Sequence, residues 1–338
     1  MSEQTQQPSP ELFFQTINSY QRTAAVRAAI ELELFTAIGE GNTTAEEIAA
    51  RCDASERGAR ILCDYLSING LLTKEGGRYG LTPDSAFFLD RRSPAYMGGT
   101  LEFLLTPSLL SNFDDLATAV RNGGTTNAEG GTVAPENPIW VKFARAMTPM
   151  AAMPAQVIAG MSEDLAGREV KVLDIAAGHG LYGIAFAQRF PEATVYALDW
   201  PAVLEVAKEH ARAVGVAARY HTIEGSAFVA DFGEGFDVVL LTNFEDHFDP
   251  PTCETLLRKV RAALRDGGRA LTLEFVPDED RVTPPAAAGF SLMMLASTPA
   301  GDAYTYSELE RMFANAGYAR SEIRDLPASP QKLVVSYK

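Results

Sequence analysis

Residues 170–183 read VKVLDIAAGHGLYG. An apolar run ends on Asp174 and opens into a turn carrying Gly178, Gly180 and Gly183. This is the pattern of a buried strand whose C-terminus meets a tight loop and the start of a helix. Such a loop brings backbone N–H groups close to a ligand. Gly178–Gly183 also satisfies G-x-G-x-x-G, the dinucleotide fingerprint. Asp174, however, stands before the glycines, and a carboxylate there would repel an anion held at the helix start. A ligand bearing a cation and hydroxyls fits better, which points to S-adenosylmethionine (SAM) with its sulfonium, ammonium and ribose. On these residues alone NAD(P) and an empty structural turn remain the alternatives. Asp199, ending the next strand, can grip ribose hydroxyls in either fold or simply cap the helix after Pro201.

Outward from this turn, strands and helices alternate. Strands are expected near 170–175, 194–199, 218–223, 236–242 and 268–276, and helices near 181–190, 201–214 and 252–265. Short loops between them imply a parallel sheet covered on both faces. The end differs: a helix over 306–316 precedes strands at 318–325 and 331–337, joined at Pro327-Ala328-Ser329-Pro330. The last strand is therefore expected to be antiparallel, and the reversed hairpin again favours SAM over NAD(P). The fold class is α/β, with a Rossmann-like sheet.

The N-terminal part reads differently. Ser19–Leu34 has helical apolar spacing, Thr43-Thr44-Ala45-Glu46 is a capping-box pattern, and Ser55 can cap a further helix that closes at Asn69-Gly70. Leu71–Thr73 and Tyr79–Thr82 flank a Gly76-Gly77 turn and predict a hairpin. Helices followed by a two-stranded wing make a winged-helix pattern. Residues 122–137 have turn composition, and a helical stretch is expected from Pro138 to about Met161. Domain limits are drawn at 1–110, 111–161 and 162–338.

Composition narrows the class. The chain has 338 residues, 46% hydrophobic and 22% charged, with a formal charge of −15. That charge opposes a phosphate-tracking surface. The second N-terminal helix offers only Arg57 and Arg60, offset by Glu56 and Asp64, so nucleic acid is not an expected partner. No apolar run is long enough for a membrane span. The opening MSEQTQQPSPELFF lacks the basic start and apolar core of a secretory signal. Cys52, Cys63 and Cys253 are too few and too scattered for a disulfide framework or zinc site, as in a cytoplasmic protein.

With these residues in view, the chain resembles the plant and bacterial small-molecule O-methyltransferases that carry an N-terminal winged-helix dimerisation domain. Asp174-Ile175-Ala176-Ala177-Gly178-His179-Gly180 resembles their acid-x-Gly-x-Gly-x-Gly loop, with Ala176 in place of the first glycine. Asp199 resembles their ribose-binding acid, beside Trp200. Glu224-Gly225-Ser226-Ala227-Phe228 resembles the run whose Asp meets the adenine amino group. Here that Asp is Ser226, so either the hydroxyl or the backbone at Ala227 and Phe228 would serve. Asn243, after the fourth strand, completes the cofactor set the resemblance implies.

The family's base is a His in Asn-x-Leu-His. Here the run is Asn243-Phe244-Glu245-Asp246-His247-Phe248-Asp249, so Asp246 takes the base position and His247 follows it. An ordinary Asp is a weak base at neutral pH. His247, reached by a small loop shift, is one candidate for the proton acceptor, Asp246 the other. A structural role for His247 stands beside both. Glu274 resembles the acid that orients the base. Three acids together (Glu245, Asp246, Glu274) predict a retained proton or a bound cation, but no i, i+4 spacing supports a metal site and none is expected. The family's second acid aligns near Ala303 and is lost, with Asp302 adjacent. His179 reads as loop structure, and His210 and His221 as solvated.

Trp140, Phe143, Met147, Met150 and Met153 are spaced to share one helical face, and Phe290, Met293 and Met294 form a second cluster. They pack the core or, as the resemblance implies, wall an acceptor pocket through Trp140, Phe143, Met147, Phe290 and Met294. The expected activity is SAM-dependent methyl transfer to a hydroxyl of a small aromatic or polyketide-like molecule. The expected assembly is a homodimer formed through apolar N-terminal helices (Phe13, Phe14, Ile17, Val26, Ile30, Leu32, Leu34). The loss of His at 246 motivates the alternative: a member that keeps the fold and perhaps SAM but runs another reaction or has lost methyl transfer.

Overall fold

The computed structural model describes residues 8–327 and 329–338. Ala328, inside the Pro-containing turn expected before the last strand, and residues 1–7 of the opening stretch lie outside the described residues. The chain divides after Leu101 into two compact units. That division falls ahead of the limit drawn at 110, and the helical segment before the sheet belongs to the same unit as the sheet.

The first unit holds α1 (Glu11–Ile17), α2 (Ser19–Glu31), α3 (Leu34–Gly39), α4 (Ala45–Arg51) and α5 (Glu56–Ile68), then β1 (Leu72–Glu75), β2 (Arg78–Leu81) and α6 (Pro83–Phe88). The capping box sits one residue later than expected: Thr44 accepts from Glu47 N–H and Glu47 closes the box. The expected helix 19–34 ends at Glu31, because Glu33 takes a left-handed backbone (φ 53°). Leu34, Phe35, Ile48, Cys63 and Leu66 form the core of this unit together with Ile30, so Ile30 and Leu34, expected in the dimer contact, instead pack inside the unit. No residue of α1 is buried, and Phe13 and Phe14 are more than half exposed.

In the second unit, α7 (Leu101–Leu104), which spans the division, α8 (Pro107–Ser111) and α9 (Leu116–Asn122) lead to α10 (Ile139–Ala146) and α11 (Thr148–Gly160). The single helix expected over 138–161 is thus two. Pro149 lies in the first turn of α11 and cannot donate to the preceding turn, so the helix restarts. The face expected to run from Trp140 to Met153 is split there. Met150 and Met153 are exposed.

The sheet is built from β3 (Val170–Ile175), β4 (Ala193–Asp199), β5 (Tyr220–Glu224), β6 (Phe236–Thr242), β7 (Leu264–Glu274), β8 (Arg320–Asp325) and β9 (Lys332–Tyr337). Its order is β5-β4-β3-β6-β7-β9-β8, with the last two strands antiparallel. Every residue of β6 is buried, as a central parallel strand requires. One face packs against α11, α12 (Leu181–Arg189) and α13 (Pro201–Ala213), the other against α14 (Pro250–Ala263) and α17 (Tyr306–Asn315). Between them in sequence, α15 (Pro285–Ala288) and α16 (Phe290–Ser297) follow β7. Strand order reverses between β3 and β6, so the loops leaving the carboxyl ends of β3, β4 and β6 open a crevice there. Among the described residues no helix is long and apolar enough to cross a membrane.

At the opposite edge, Asp237 pins the sheet. It accepts from Lys171 N (2.8 Å), Arg168 Nη1 (2.7 Å) and Arg265 Nε (2.5 Å). Asp237→Ala strands the Lys171 amide and frees both guanidinium groups. A loss of about 2 kcal/mol is expected from one lost buried acceptor, read as a lower urea midpoint at an unchanged slope.

Candidate active site

Three acids end strands at the crevice, and each is buried or nearly so. Asp174, at the end of β3, is fully buried. Its Oδ2 accepts from Gly183 N–H in α12 at 3.0 Å, while Oδ1 has no partner. Burial pushes its carboxyl up to about 8, with the nearby charge of Asp199 adding and the Gly183 amide opposing. Gly183 is required there: a Cβ would stand 2.7 Å from Val195 Cγ1 and 2.9 Å from Asp174 Oδ2. Asp199, at the end of β4, accepts from Gly178 N–H at 2.8 Å and from its neighbour Trp200 N–H at 2.7 Å. Burial raises it to about 6 against those two amides. The loop between is turned by left-handed residues at Ala176, Gly178 and Gly180 (φ 51°, 56° and 75°). A Cβ on Gly180 would meet the Tyr220 hydroxyl and Ala207.

His179 is buried in this loop. Its Nδ1 accepts from Leu181 N–H at 3.2 Å, and burial lowers its imidazole to about 3, so it stays neutral. The ring thereby satisfies the first amide of α12, whose N-cap is Gly180. His210 is not simply solvated: its Nδ1 lies 2.8 Å from the His179 carbonyl. His221 is exposed as expected. Ser226 Oγ accepts from Phe228 N–H at 3.3 Å, so this hydroxyl closes its own turn. Lys259 Nζ ties the same loop from α14, donating to the carbonyls of Ala227 (2.9 Å) and Ala230 (2.6 Å). Asn243 is left-handed (φ 54°), and its Oδ1 accepts from Gln331 Nε2.

The turn after β6 carries Glu245, Asp246 and His247, all buried. His247 Nδ1 lies 2.7 Å from Asp246 Oδ1. With Asp246 accepting from Nδ1–H, the lone pair of the ring is on Nε2. The expectation that Glu274 orients the base is not what the geometry gives. Glu274 Oε1 accepts from Phe244 N–H (2.7 Å) and Glu245 N–H (3.0 Å), and the carboxylate on the His is Asp246. Among the described residues no group of three or more His, Cys, Asp or Glu has metal-holding geometry. Thr272 Oγ1 donates to Glu245 Oε1 at 3.1 Å.

One face of α10 bridges loop and turn. The Phe143 ring stacks at 6.1 Å on His179 and would contact a Cβ at Gly178 at 3.5 Å. The Trp140 ring meets the His247 ring edge-on at 5.3 Å, and the Trp140 and Phe143 rings touch at 5.7 Å. Met147 is half-buried at the end of α10. Phe290 stacks on Phe275 at 4.3 Å, and Met294 is buried in the same helix, α16. Phe275 escaped notice in the sequence, although it directly follows Glu274. Arg281 is bound to Asp302 and Glu308, and Lys332 to Asp278.

The long loop 122–137 is tied down. Trp140 Nε1 donates to the Thr132 carbonyl (2.9 Å), Thr132 Oγ1 to the Ser297 carbonyl (3.1 Å), and Thr125 N–H to the Thr298 carbonyl (2.8 Å). Gly301 then lies against the turn after β6, where a Cβ would collide with the Asp246 carbonyl and stand 2.9 Å from His247 C. No motif marked Gly301, because its partner is 55 positions back along the chain.

A parallel sheet closed by a reversed hairpin, with a glycine loop between acid-tipped strands, is the architecture of the SAM-dependent methyltransferases. The chain belongs to the O-methyltransferase family: residues 113–319 match the O-methyltransferase domain, and residues 14–91 match the O-methyltransferase dimerisation domain. It is 29% identical to the 3-hydroxy-5-methyl-1-naphthoate 3-O-methyltransferase of Streptomyces sahachiroi, over 95% of this chain and 92% of that one. It is 27% identical to the tetracenomycin polyketide synthesis 8-O-methyl transferase TcmO of Streptomyces glaucescens, over 100% and 99%. A crystal structure from Nostoc punctiforme PCC 73102, described provisionally as an O-methyltransferase, is 54% identical with a TM-score of 0.95, covering 98% of this chain and 100% of that one. PigF, solved with S-adenosylhomocysteine (SAH), is 25% identical with a TM-score of 0.82, over 98% and 100%.

Gly301→Ala pushes a methyl into the backbone of the Asp246–His247 turn. A loss of about 1–3 kcal/mol is expected from overpacking, seen as a lower melting temperature with a displaced His247 ring resonance.

Proposed function

We propose that this enzyme transfers the methyl of SAM to a hydroxyl of a small aromatic or polyketide-like acceptor, with His247 as general base and Asp246 as its orienting carboxylate. The observation that carries this reading is the face of α10: Phe143 lies on the glycine loop and Trp140 on the His247 ring. Donor loop and base therefore share one aromatic wall, suited to a flat apolar acceptor. The relatives named for naphthoate and tetracenomycin polyketide substrates support the acceptor class.

The residues present fit the donor. A buried acid, Asp174, and a partly buried one, Asp199, stand at the strand ends, and the orphan Oδ1 of Asp174 calls for a cation or a hydroxyl. Asp199 has lone pairs left for the ribose diol, and its bond to Gly178 N–H holds the loop ready. Backbone at Ala227 and Phe228, beside Ser226, Trp200 and Asn243, completes the cofactor set. Bound SAM supplies an activated methyl on a sulfonium. The protein then aligns the acceptor oxygen and removes its proton. Nε2 of His247 takes that proton, and the Asp246 carboxylate stabilises the imidazolium through Nδ1–H. The chain works as a homodimer, with the exposed Leu12, Phe13, Phe14 and Ile17 of α1 in the partner contact, and its N-terminal unit is a winged helix without a DNA role.

Purified protein, methyl-labelled SAM and a panel of phenols and naphthols test the reading. Label must reach an acceptor oxygen; SAM binding without transfer to any of them overturns it. His247→Ala is expected to lower the transfer rate about 10²–10⁴-fold, with SAH affinity by calorimetry unchanged. A loss confined to affinity would remove His247 from the chemistry.

Proton linkage gives a second check. Free Asp174 sits at about 8, chiefly through burial, so it is protonated at neutral pH. A cationic ligand beside it favours the ionised form and expels that proton. SAM affinity should rise as pH climbs and level off above about pH 8. Calorimetry in buffers of different ionisation heat should register proton release at neutral pH, and Asp174→Asn should abolish it.

A further inference from the structure

The loop over residues 122–137 has turn composition and no apolar period, yet it is fixed to the end of α16 and to the start of α10. Thr132 stands between the two. It is buried, and its Oγ1 donates to the carbonyl of Ser297, the last residue of α16, at 3.1 Å. Its own carbonyl accepts from Trp140 Nε1 at 2.9 Å. Asn137 adds a second tie: Nδ2 donates to the Gly131 carbonyl (3.0 Å), while Oδ1 accepts from Ile139 N–H (3.0 Å) at the first residue of α10. The loop also seats closely on the segment after α16. A Cβ at Gly131 would collide with the Ser297 carbonyl, and one at Gly124 with the Pro299 carbonyl. Gly131 is left-handed as well (φ 64°), a backbone that glycine adopts freely.

The segment after α16 leads back to the turn after β6. Thr298 is fully buried; its Oγ1 donates to the Met294 carbonyl (2.7 Å) and accepts from Gly301 N–H (2.8 Å). Gly301 lies against the backbone of Asp246 and His247. One connected structure therefore meets His247 twice: Gly301 at its backbone, and Trp140 edge-on at its ring at 5.3 Å. Thr132 joins the two arms.

We infer that Thr132 is a positioning residue: its hydroxyl fixes the loop to α16, and its carbonyl thereby holds the Trp140 indole against the His247 ring, which sets where the acceptor lies relative to the base. This rests on the proposed reading of His247 as base and of α10 as the acceptor wall. Trp140 is only half-buried, so packing by itself leaves its side-chain torsions a choice of wells. A hydrogen bond from the indole N–H to an immobilised carbonyl selects one of them. Without the Thr132 hydroxyl the Ser297 carbonyl loses that donor, and the loop that carries the Thr132 carbonyl is free to lift. A misplacement of about 1 Å at the acceptor is enough to slow transfer.

Three variants test this. Thr132→Val keeps the shape and removes the donor, and should lower kcat about 10-fold with SAM affinity by calorimetry unchanged. Thr132→Ser keeps the hydroxyl and should keep the native kcat. Trp140→Phe removes the indole N–H and should itself lower kcat; adding Thr132→Val to it should cost nothing more, because both act through one bond. The inference falls if Thr132→Val keeps full kcat, if Thr132→Ser is as slow as Thr132→Val, or if the two losses multiply in the double variant. Hydrogen exchange of the Trp140 indole N–H gives a measure free of chemistry, since the chain has only two tryptophans, Trp140 and Trp200. That N–H should exchange slowly in the native protein and at least about 10-fold faster in Thr132→Val, with the amides of β6 still protected. Equal protection in the two proteins overturns the inference. The exchange measurement needs no acceptor, so it judges Thr132 even if the native protein methylates none of the phenols.

Discussion

A buried carboxylate needs donors, and at the carboxyl edge of this sheet the donors are the amides of neighbouring loops. Asp199, ending β4, takes Gly178 N–H from the loop that leaves β3. Glu274, ending β7, takes Phe244 and Glu245 N–H from the turn that leaves β6. Asp174, ending β3, takes Gly183 N–H from the helix that follows. Backbone bonds repeat the arrangement: Ala177 N–H to the Leu198 carbonyl and Asn243 N–H to the Leu273 carbonyl. Each loop is therefore held by the strand next to its own. Solvating an acid with fixed amides costs no reorganisation when a ligand arrives, and it locks the loops that surround the crevice.

Within this lattice position 246 carries an acid. The carboxylate and the imidazole occupy adjacent residues, and Asp246 meets His247 Nδ1 directly. Glu274 bonds the backbone of the turn rather than the ring. Glu245 beside it is fully buried, and a buried acid is tolerable only with a proton or donors. Thr272 supplies a donor to Oε1, and burial raises the Glu245 carboxyl to about 7. In the proposed mechanism Asp246 orients the base and His247 is the base.

The acceptor side depends on contacts far apart in sequence. Trp140 reaches the base ring from α10 and is itself held by the Thr132 carbonyl, and Thr132 by the carbonyl of Ser297. The loop that looked like a featureless linker is thus a strap between α10 and the end of α16. Gly301 closes the circuit against the backbone of Asp246 and His247.

Much of this was legible in the chain. The strand ending at Asp174, the three loop glycines, Asp199 and the reversed final hairpin are local patterns whose period and turn chemistry carry their meaning. The structure places them within a residue or two of expectation, except where local propensity met a tertiary demand. Pro149 broke the helix over 138–161, and Gly267, left-handed at φ 73°, lies within a strand that starts four residues early. What the sequence could not decide was which acid serves which partner. Glu245, Asp246 and Glu274 look alike in one dimension, and alignment gave Glu274 to the histidine. Only three-dimensional packing sets which oxygen meets a ring nitrogen, which meets an amide and which meets a hydroxyl, because those choices depend on strand register and on the left-handed turn at Asn243.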